Sequence, residues 1–580
     1  MDVAELVALL YRGACTEHSL TAELLIQRDP DAERRLTDVG NRAVRAMMSR
    51  AGSYLPEGMA EPAETEAEET ITVIVAPGGR YRFERPSRAE LFLGEGASHW
   101  SRSADQGIRT GYGPPHEAPA IRMLVPTWLL IGHEVTGIEP TAESGRPAVR
   151  FRASPRRSDR SLPFEVREHA IEYVDAVVDA ERGVLLSLTE VFEGRPVRTL
   201  RLVHPLFDGA EREASDFRPL DEEVGGPSSS VGAGDMPPAV MAEGVRSGLL
   251  FLARFALDRP YRKGFRTAMA SLDQEGESWP DSLDSSAVPS EEEPPSVADL
   301  ALLLYRAGLG GRAVAAELHH WIDFRALAGD DDEVRRMISA VLPEAAGPEP
   351  AGEFPEPAGP RTGYRIIRFL VRDPEHYRVE QLRGADPNAA SMVARDASRQ
   401  FRLFRDRLVL AEADGLETLV DRMVDSSWLL GAALTPLGFA DLGGRRVIRA
   451  CAVPRRWSVP GYEALYSQRS DLLIDAETGV LLSLTGWEGD RIGQRQLLRD
   501  PEFPDTVDPG EFVLTAPPGV PTVVFSGGPL GDAALPKPVK SAAETAARLL
   551  SGVVAAGIRF GERRQRTAEP PAEPPPRTVI

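Results

Sequence analysis

The sequence predicts an α+β protein built from two tandem units, each an antiparallel β-sheet with covering helices. Three observations lead there: the chain repeats itself once at long period, most of each repeat alternates apolar with polar residues, and apolar-striped helical segments bracket the alternation. The repeat is direct. Val3-Ala4-Glu5-Leu6-Val7-Ala8-Leu9-Leu10-Tyr11-Arg12 returns 294 residues later as Val297-Ala298-Asp299-Leu300-Ala301-Leu302-Leu303-Leu304-Tyr305-Arg306. Asp179-Ala180-Glu181-Arg182-Gly183-Val184-Leu185-Leu186 returns 296 residues later as Asp475-Ala476-Glu477-Thr478-Gly479-Val480-Leu481-Leu482. Tyr81-Arg82-Phe83-Glu84 against Tyr377-Arg378-Val379-Glu380, and Trp128-Leu129-Leu130 against Trp428-Leu429-Leu430, keep nearly the same register. A period this long means two globular copies, not a solenoid. The expected boundaries are a first unit over residues 1–266, a disordered Ser/Asp/Glu/Pro linker over 267–295, a second unit over 296–566 and a Pro-rich tail over 567–580.

Taken in order, Val3, Leu6, Val7 and Leu10 fall at helical spacing, so each unit opens on a short amphipathic helix. Leu20 to Ile26 reads as a first strand, with its counterpart at Val314 to Leu318. Polar, Ala-rich stretches of helical character follow at 42–50 and 332–341. Loops poor in apolar residues come next, at 57–70 and 345–360. Ile71 to Val75 and Tyr81 to Glu84 flank Pro77-Gly78-Gly79, a hairpin signal. Ala148 to Arg152 and Glu172 to Val177 alternate, and Asp179 to Gly183 is a turn in which Gly183 suits positive φ. Glu190 to Arg201 continues through a turn at Glu193-Gly194-Arg195. Glu511 to Leu514 reads as a late strand. Ala-rich closing helices are expected from Pro238 to Leu257 and from Pro538 onward.

The formal charge of −21 argues against nucleic acid as a partner, because phosphate binding needs a basic face. Lys263, Lys537 and Lys540 are the only lysines, which with the abundant Ala, Gly and Pro is the residue usage of a GC-rich, actinobacterium-like genome. Cys15 and Cys451 do not correspond between units, so free, buried thiols are expected. The acidic start, with no basic region or lipobox, predicts a cytoplasmic chain, and no apolar run spans a bilayer.

Catalytic signatures are missing from the sequence. The nine histidines form no HExxH, two cysteines cannot form paired CxxC ligands, and neither a dinucleotide fingerprint nor a Gly-x-Ser-x-Gly elbow occurs. His319 and His320, as strand neighbours, would face opposite sides and be exposed or half-buried rather than ligands. Asp179/Glu181 and Asp475/Glu477 sit in turns they would shape. The chain is therefore expected to be no enzyme, with no catalytic residue, metal or cofactor.

The strand-turn-strand Asp475-Ala476-Glu477-Thr478-Gly479-Val480-Leu481-Leu482, the segment Glu511-Phe512-Val513-Leu514 running into Pro517-Pro518-Gly519, and Tyr81-Arg82-Phe83-Glu84 resemble the outer-membrane lipoprotein carrier superfamily. That group includes the periplasmic lipoprotein carrier, an anti-sigma-binding stress sensor and mycobacterial lipid-binding lipoproteins. The resemblance implies that each unit is a curved antiparallel β-sheet, an open half-barrel, whose concave apolar face holds acyl chains under covering helices. It thus implies a non-catalytic binding protein for an apolar or lipid-like ligand, in a cavity under each sheet. The alternative is a protein–protein interaction or regulatory scaffold without a small-molecule ligand. The duplication and the closing helices depart from the group.

Candidate ligand-binding residues, at a cavity mouth or on a lid, are Trp128, Trp428, Leu249, Leu250, Phe251, Phe255, Leu549 and Leu550. Either tryptophan could equally be a large ring buried between sheet and helix. The closing helix of the first unit holds more apolar surface than one stripe would hide. It is expected to plug a concave sheet face or to dock between the units.

Overall fold

The computed structural model describes residues 1–13, 19–39, 67–77, 80–88, 90–95, 98–103, 107–112, 119–156, 171–207, 213–218, 279–280, 283, 287–307, 312–323, 362–373, 375–383, 391–396, 399–403, 408–412, 418–455 and 467–524. Alternation in the first repeat becomes eleven strands: β1 (Leu20–Arg28), β2 (Glu68–Ala76), β3 (Arg80–Arg85), β4 (Glu90–Glu95), β5 (Ser98–Ser103), β6 (Gly107–Tyr112), β7 (His133–Glu143), β8 (Arg146–Pro155), β9 (Tyr173–Asp179), β10 (Leu185–Phe192) and β11 (Arg195–Phe207). Their spatial order is β6-β5-β4-β3-β2-β1-β11-β10-β9-β8-β7, two antiparallel meanders joined where the first strand pairs with the last. The sheet stays open rather than closing into a barrel.

The second repeat contributes β12 (Val288–Pro289), β13 (Val314–Asp323), β14 (Thr362–Asp373), β15 (His376–Arg383), β16 (Met392–Asp396), β17 (Arg399–Leu403), β18 (Leu408–Glu412), β19 (Ala432–Leu442), β20 (Arg445–Pro454), β21 (Arg469–Asp475), β22 (Leu481–Glu488), β23 (Arg491–Glu502) and β24 (Thr522–Val524). Their order is β12-β19-β20-β21-β22-β23-β13-β14-β15-β16-β17-β18-β24. Without the two edge strands this is the order of the first sheet, strand for strand. The duplication read from the sequence is thus a duplication of topology. β12 pairs antiparallel with β19 and β24 parallel with β18, so both outer edges of the second sheet carry short extra strands.

The repeated turns hold the same chemistry. Asp179 is fully buried, and its Oδ1 accepts from the amides of Glu181 and Arg182. Asp475 does the same with Glu477 and Thr478, and the Thr478 hydroxyl adds a bond of 2.8 Å. Arg146 and Arg445 ion-pair with the second carboxylate oxygens. These carboxylates shape the turns, as expected.

Several expectations change. β2 begins at Glu68, inside the stretch read as an acidic loop, because Arg28 pairs with Glu69 at 2.8 Å and draws it into the sheet. Glu511 to Leu514 is not a strand. Pro509–Phe512 is a 3₁₀ turn whose N-cap Asp508 accepts from the Gly510 amide, and Phe512 is buried. Pro509 fixes a turn-compatible φ, and Pro517 and Pro518 have no amide to donate to a ladder. Within the stretch read as a linker, Val288–Pro289 pairs with the edge strand β19 through its backbone while its side chains stay exposed, and Leu283 is buried because its apolar side chain packs against Tyr364 and Leu497. His319 and His320 do face opposite sides, but both are buried rather than exposed or half-buried. The first lies against Tyr364 on the outer side, and the second is on the inner face of the sheet. Cys451 is a half-buried free thiol, less covered than expected. Cys15, the helical stretches at 42–50 and 332–341, and both closing helices lie outside the described residues.

Helices α1 (Val3–Gly13), α2 (Pro119–Leu124) and α3 (Trp128–Gly132) belong to the first repeat, and α4 (Val297–Ala307), α5 (Thr418–Val424) and the 3₁₀ helix Ser426–Gly431 to the second. All described residues fall in one compact unit, within which α1 packs on α4. Their contacts are reciprocal, as across a two-fold axis. The Tyr11 hydroxyl accepts from the Leu434 amide and donates to the Ala432 carbonyl, both at 2.9 Å. The Tyr305 hydroxyl accepts from the Val135 amide, also at 2.9 Å. Arg455 lies over the Tyr11 ring and Arg156 over the Tyr305 ring, and each donates to its tyrosine's carbonyl. One apolar core therefore runs through both repeats, including Leu6, Leu10, Leu24 and Leu129 from the first with Leu300, Leu304, Leu318 and Leu429 from the second.

Candidate binding site

A sheet of alternating residues offers two faces. On the inner face, Leu20, Ala22, Leu24 and Ile26 of β1 correspond to Val314, Ala316, Leu318 and His320 of β13, all buried. Toward one end this face turns polar, and there the repeats diverge.

In the first repeat the polar end is ionic. Glu190 is 3% exposed. It takes Arg198 through Nε at 3.0 Å and Nη2 at 2.8 Å, and Arg122 of α2 through Nη1 at 2.9 Å. Burial alone would raise this carboxyl, but the charges of Arg198 and Arg122 outweigh it and bring it down to about 2. Glu69 is likewise buried between Arg28 and Arg85.

In the second repeat the central pair is uncharged, with Gly486 standing for Glu190 and Gln494 for Arg198; Gln496 stands for Leu200, and Arg365 stands for Glu69. Gln494 donates to Ser467 and Gln496 to Gln494. Ser470 Oγ is buried without a hydrogen-bond partner among the described residues. His320, across from Gln496, is pushed down to about 4, first by burial and then by the charge of Arg365.

That shift makes a pH prediction. A histidine held below its ordinary 6.5 stabilises the fold fully above that pH and progressively less as pH falls toward 4. At pH 5 the loss is about 2 kcal/mol. His320→Ile, the residue that β1 carries as Ile26, should remove it. Urea unfolding at pH 7 and pH 5 should show wild type losing about 2 kcal/mol more than the variant between the two conditions. Equal losses would mean that His320 is hydrated in the fold.

Both candidate tryptophans lie in the core, Trp128 at 4% and Trp428 at 7% exposure. The two indole N–H groups make the same bond: Trp128 Nε1 donates to the Arg122 carbonyl at 3.0 Å and Trp428 Nε1 to the Arg422 carbonyl at 2.7 Å. The Arg122 guanidinium stacks over the Trp128 ring. Each indole thus ties a helical turn back onto the short helix before it. Leu249, Leu250, Phe251, Phe255, Leu549 and Leu550 lie outside the described residues. Among the described residues no cluster of His, Cys, Asp and Glu could hold a metal ion, and no helix is long and apolar enough to cross a membrane.

On the outer face of the second sheet lies a cleft of about 430 Å³, lined by Ala315, Glu317, Arg368, Arg378, Arg499 and Glu511 among others. Its charges are largely paired, Arg368 with Glu317 at 2.7 Å and Arg378 with Glu511 at 3.3 Å. The position of Glu317 along β13 leads on to His319 and Trp321, on the same side of the sheet. The sequence reading missed this face. Trp321, Tyr364 and Leu497 show as unusual only once the strand register sets them against Gln27, Glu68 and Arg201 of the first repeat.

No family model and no curated protein matches the sequence. Among solved structures the chain is similar to MucB in the Pseudomonas aeruginosa MucA/MucB complex, with 14% identity over 38% of this chain and 62% of that one, at a TM-score of 0.21. It is similar to a putative outer membrane lipoprotein-sorting protein domain from Vibrio parahaemolyticus, with 7% identity over 37% of this chain and 94% of that one, at a TM-score of 0.17. A LolA superfamily protein from Nitrosomonas europaea gives 7% identity, 37% and 96% coverage, and a TM-score of 0.17. The chain spans about three fifths of the length of the MucB structures it matches.

Proposed function

We propose that the chain is a non-catalytic binding protein whose partner is a polypeptide held on the outer surface of the sheets. The observation that supports this is the occupied interior. Leu6, Leu9 and Leu10 of α1, Leu300 and Leu304 of α4, and Leu129, Leu130, Leu429 and Leu430 are each at most 1% exposed, packed as one core with the inner faces of both sheets. Burying a leucine contributes roughly 1.5–3 kcal/mol. An apolar ligand under the sheets, the first expectation from the resemblance, would have to replace several such contacts to enter. A polypeptide on the outer faces displaces none of them. Native mass spectrometry of the full chain from its host, with titration by a fluorescent fatty acid, tests the reading. The expected result is no bound apolar molecule and no saturable fluorescence change. One apolar molecule per chain would overturn it in favour of a carrier.

A further inference from the structure

One face differs between the repeats although the fold they share does not require it. On the outer side of the first sheet, Leu25, Gln27, Glu68, Thr70 and Arg201 stand side by side across β2, β1 and β11. It is a wet surface, where the exposed Gln27 and Glu68 hydrogen-bond at 3.3 Å. The same register positions in the second sheet hold His319, Trp321, Tyr364, Ile366 and Leu497. With the repeats serving as each other's control, stability of the sheet cannot be the reason for an aromatic, apolar patch here.

Left open, such a patch would mark an interaction site, but the chain covers it. The Leu283 amide donates to the Pro280 carbonyl at 2.9 Å. Leu283, Tyr364 and Leu497 form a buried cluster with Trp279, Trp321 and Ile366 packed on it. Trp279 meets Tyr364 edge-on at 6.3 Å between centroids. Arg495 lies over the Trp279 ring and Arg383 over Tyr364. Beneath them His319, 4% exposed, places Nδ1 at 2.7 Å from the Tyr364 hydroxyl. Its Nε2 is buried with no hydrogen-bond partner among the described residues.

We propose that this face of the second repeat is a docking surface for a partner polypeptide presenting an aromatic residue and a leucine four positions apart, and that the chain's own Trp279 and Leu283 are its built-in occupant. This rests on the polypeptide-binding reading above and gives it a location. The seated segment defines the chemistry: an indole between an aromatic ring and a guanidinium, and an aliphatic side chain over Leu497. His319 Nε2 supplies a hydrogen bond that the seated segment leaves unused and a partner could satisfy. The neighbouring cleft, with Arg368, Arg378 and Arg499 set among Glu317, Glu380 and Glu511, gives a longer partner a floor of both charge signs. Two anchors hold the occupant, so a partner that matches both and adds contacts in the cleft can replace it.

The test uses the full chain carrying Trp279→Ala and Leu283→Ala, with its fold checked by circular dichroism. A fluorescein-labelled peptide of residues 275–287 is titrated against it and against wild type, and anisotropy is read. The double variant should bind about tenfold or more tightly than wild type, whose own segment keeps the surface closed. Adding Leu497→Arg, the residue that the first repeat carries as Arg201, should abolish that binding. A folded double variant that binds no more tightly than wild type overturns the proposal. So does a wild-type chain that runs as a dimer while the double variant runs as a monomer, because the occupant would then be a second copy. Lipid uptake is read on a separate signal, so a failed peptide titration removes this surface alone, whereas bound lipid removes the reading beneath it.

Discussion

Replacing Glu190 with alanine is expected to cost the fold about 3–5 kcal/mol, read as a drop in chemical unfolding free energy at neutral pH. The carboxylate is buried between Arg122 on α2 and Arg198 on β11, and it receives three hydrogen bonds from them. Truncation leaves two guanidiniums facing each other at the sheet–helix junction with nothing to neutralise them. The cost comes from that exposed imbalance more than from the worth of the ion pairs themselves. Replacing all three side chains with Leu, Met and Leu should therefore recover stability to within about 1 kcal/mol of wild type or exceed it. The same residue sets an acid limb. Its folded value of about 2 lies below the ordinary 4.5, so its contribution is complete above pH 4.5 and is lost as pH falls toward 2. A Glu190→Ala chain as stable as wild type would mean that water reaches the cluster.

That cluster also marks the limit of what the residues alone could reveal. The doubled motifs carried the topology, because Asp179 to Leu186 and Asp475 to Leu482 each encode a strand end, a capped turn and the next strand within eight residues. Alternation over Leu20 to Ile26 identified β1 and, through parity, its inner face. The strands β4 to β6 and β16 to β18 were missed, being segments of only five or six residues, too short for alternation to register, that the neighbouring ladders hold in place. α2, α3 and α5 are five to seven residues long, too short for a 3.6-residue period to register, and they are stabilised by packing under the sheets. Tyr11 and Tyr305 were part of the repeat, yet nothing local says that each hydroxyl crosses to the other repeat. The outer patch was legible only as a difference, once register put Gln27 beside Trp321 and Arg201 beside Leu497 as equivalents. The tryptophans were found because they repeat, and a repeated indole N–H bonded to a carbonyl six residues earlier is a packing device that periodicity cannot distinguish from a ligand contact.

Gly183→Ala should be the second costly change, and a more costly one than Gly479→Ala at the equivalent turn. Both glycines have positive φ, +69° and +74°, so a side chain at either carries a left-handed penalty of about 1 kcal/mol. What separates them is the helix lying on the turn. A methyl group on Gly183 would sit 2.2 Å from the Leu9 carbonyl oxygen and 2.9 Å from the Gly13 amide nitrogen, all backbone of α1. On Gly479 it would sit 2.9 Å from both the Ala307 Cβ and the Leu303 carbonyl oxygen. α1 can relieve the first clash only by moving bodily, and it carries Tyr11, whose hydroxyl serves Leu434 and Ala432 in the other repeat. Displacing it loosens the seam between repeats as well as one turn. Adding about 1–3 kcal/mol for overpacking to the backbone penalty gives about 3–4 kcal/mol for Gly183→Ala and about 2 kcal/mol for Gly479→Ala. Urea unfolding of the two variants, followed by tryptophan fluorescence, measures the difference. Equal costs would show that α1 can shift on its turn as freely as α4, and that the contact between Gly13 and Gly183 does not hold the first repeat's helix in place.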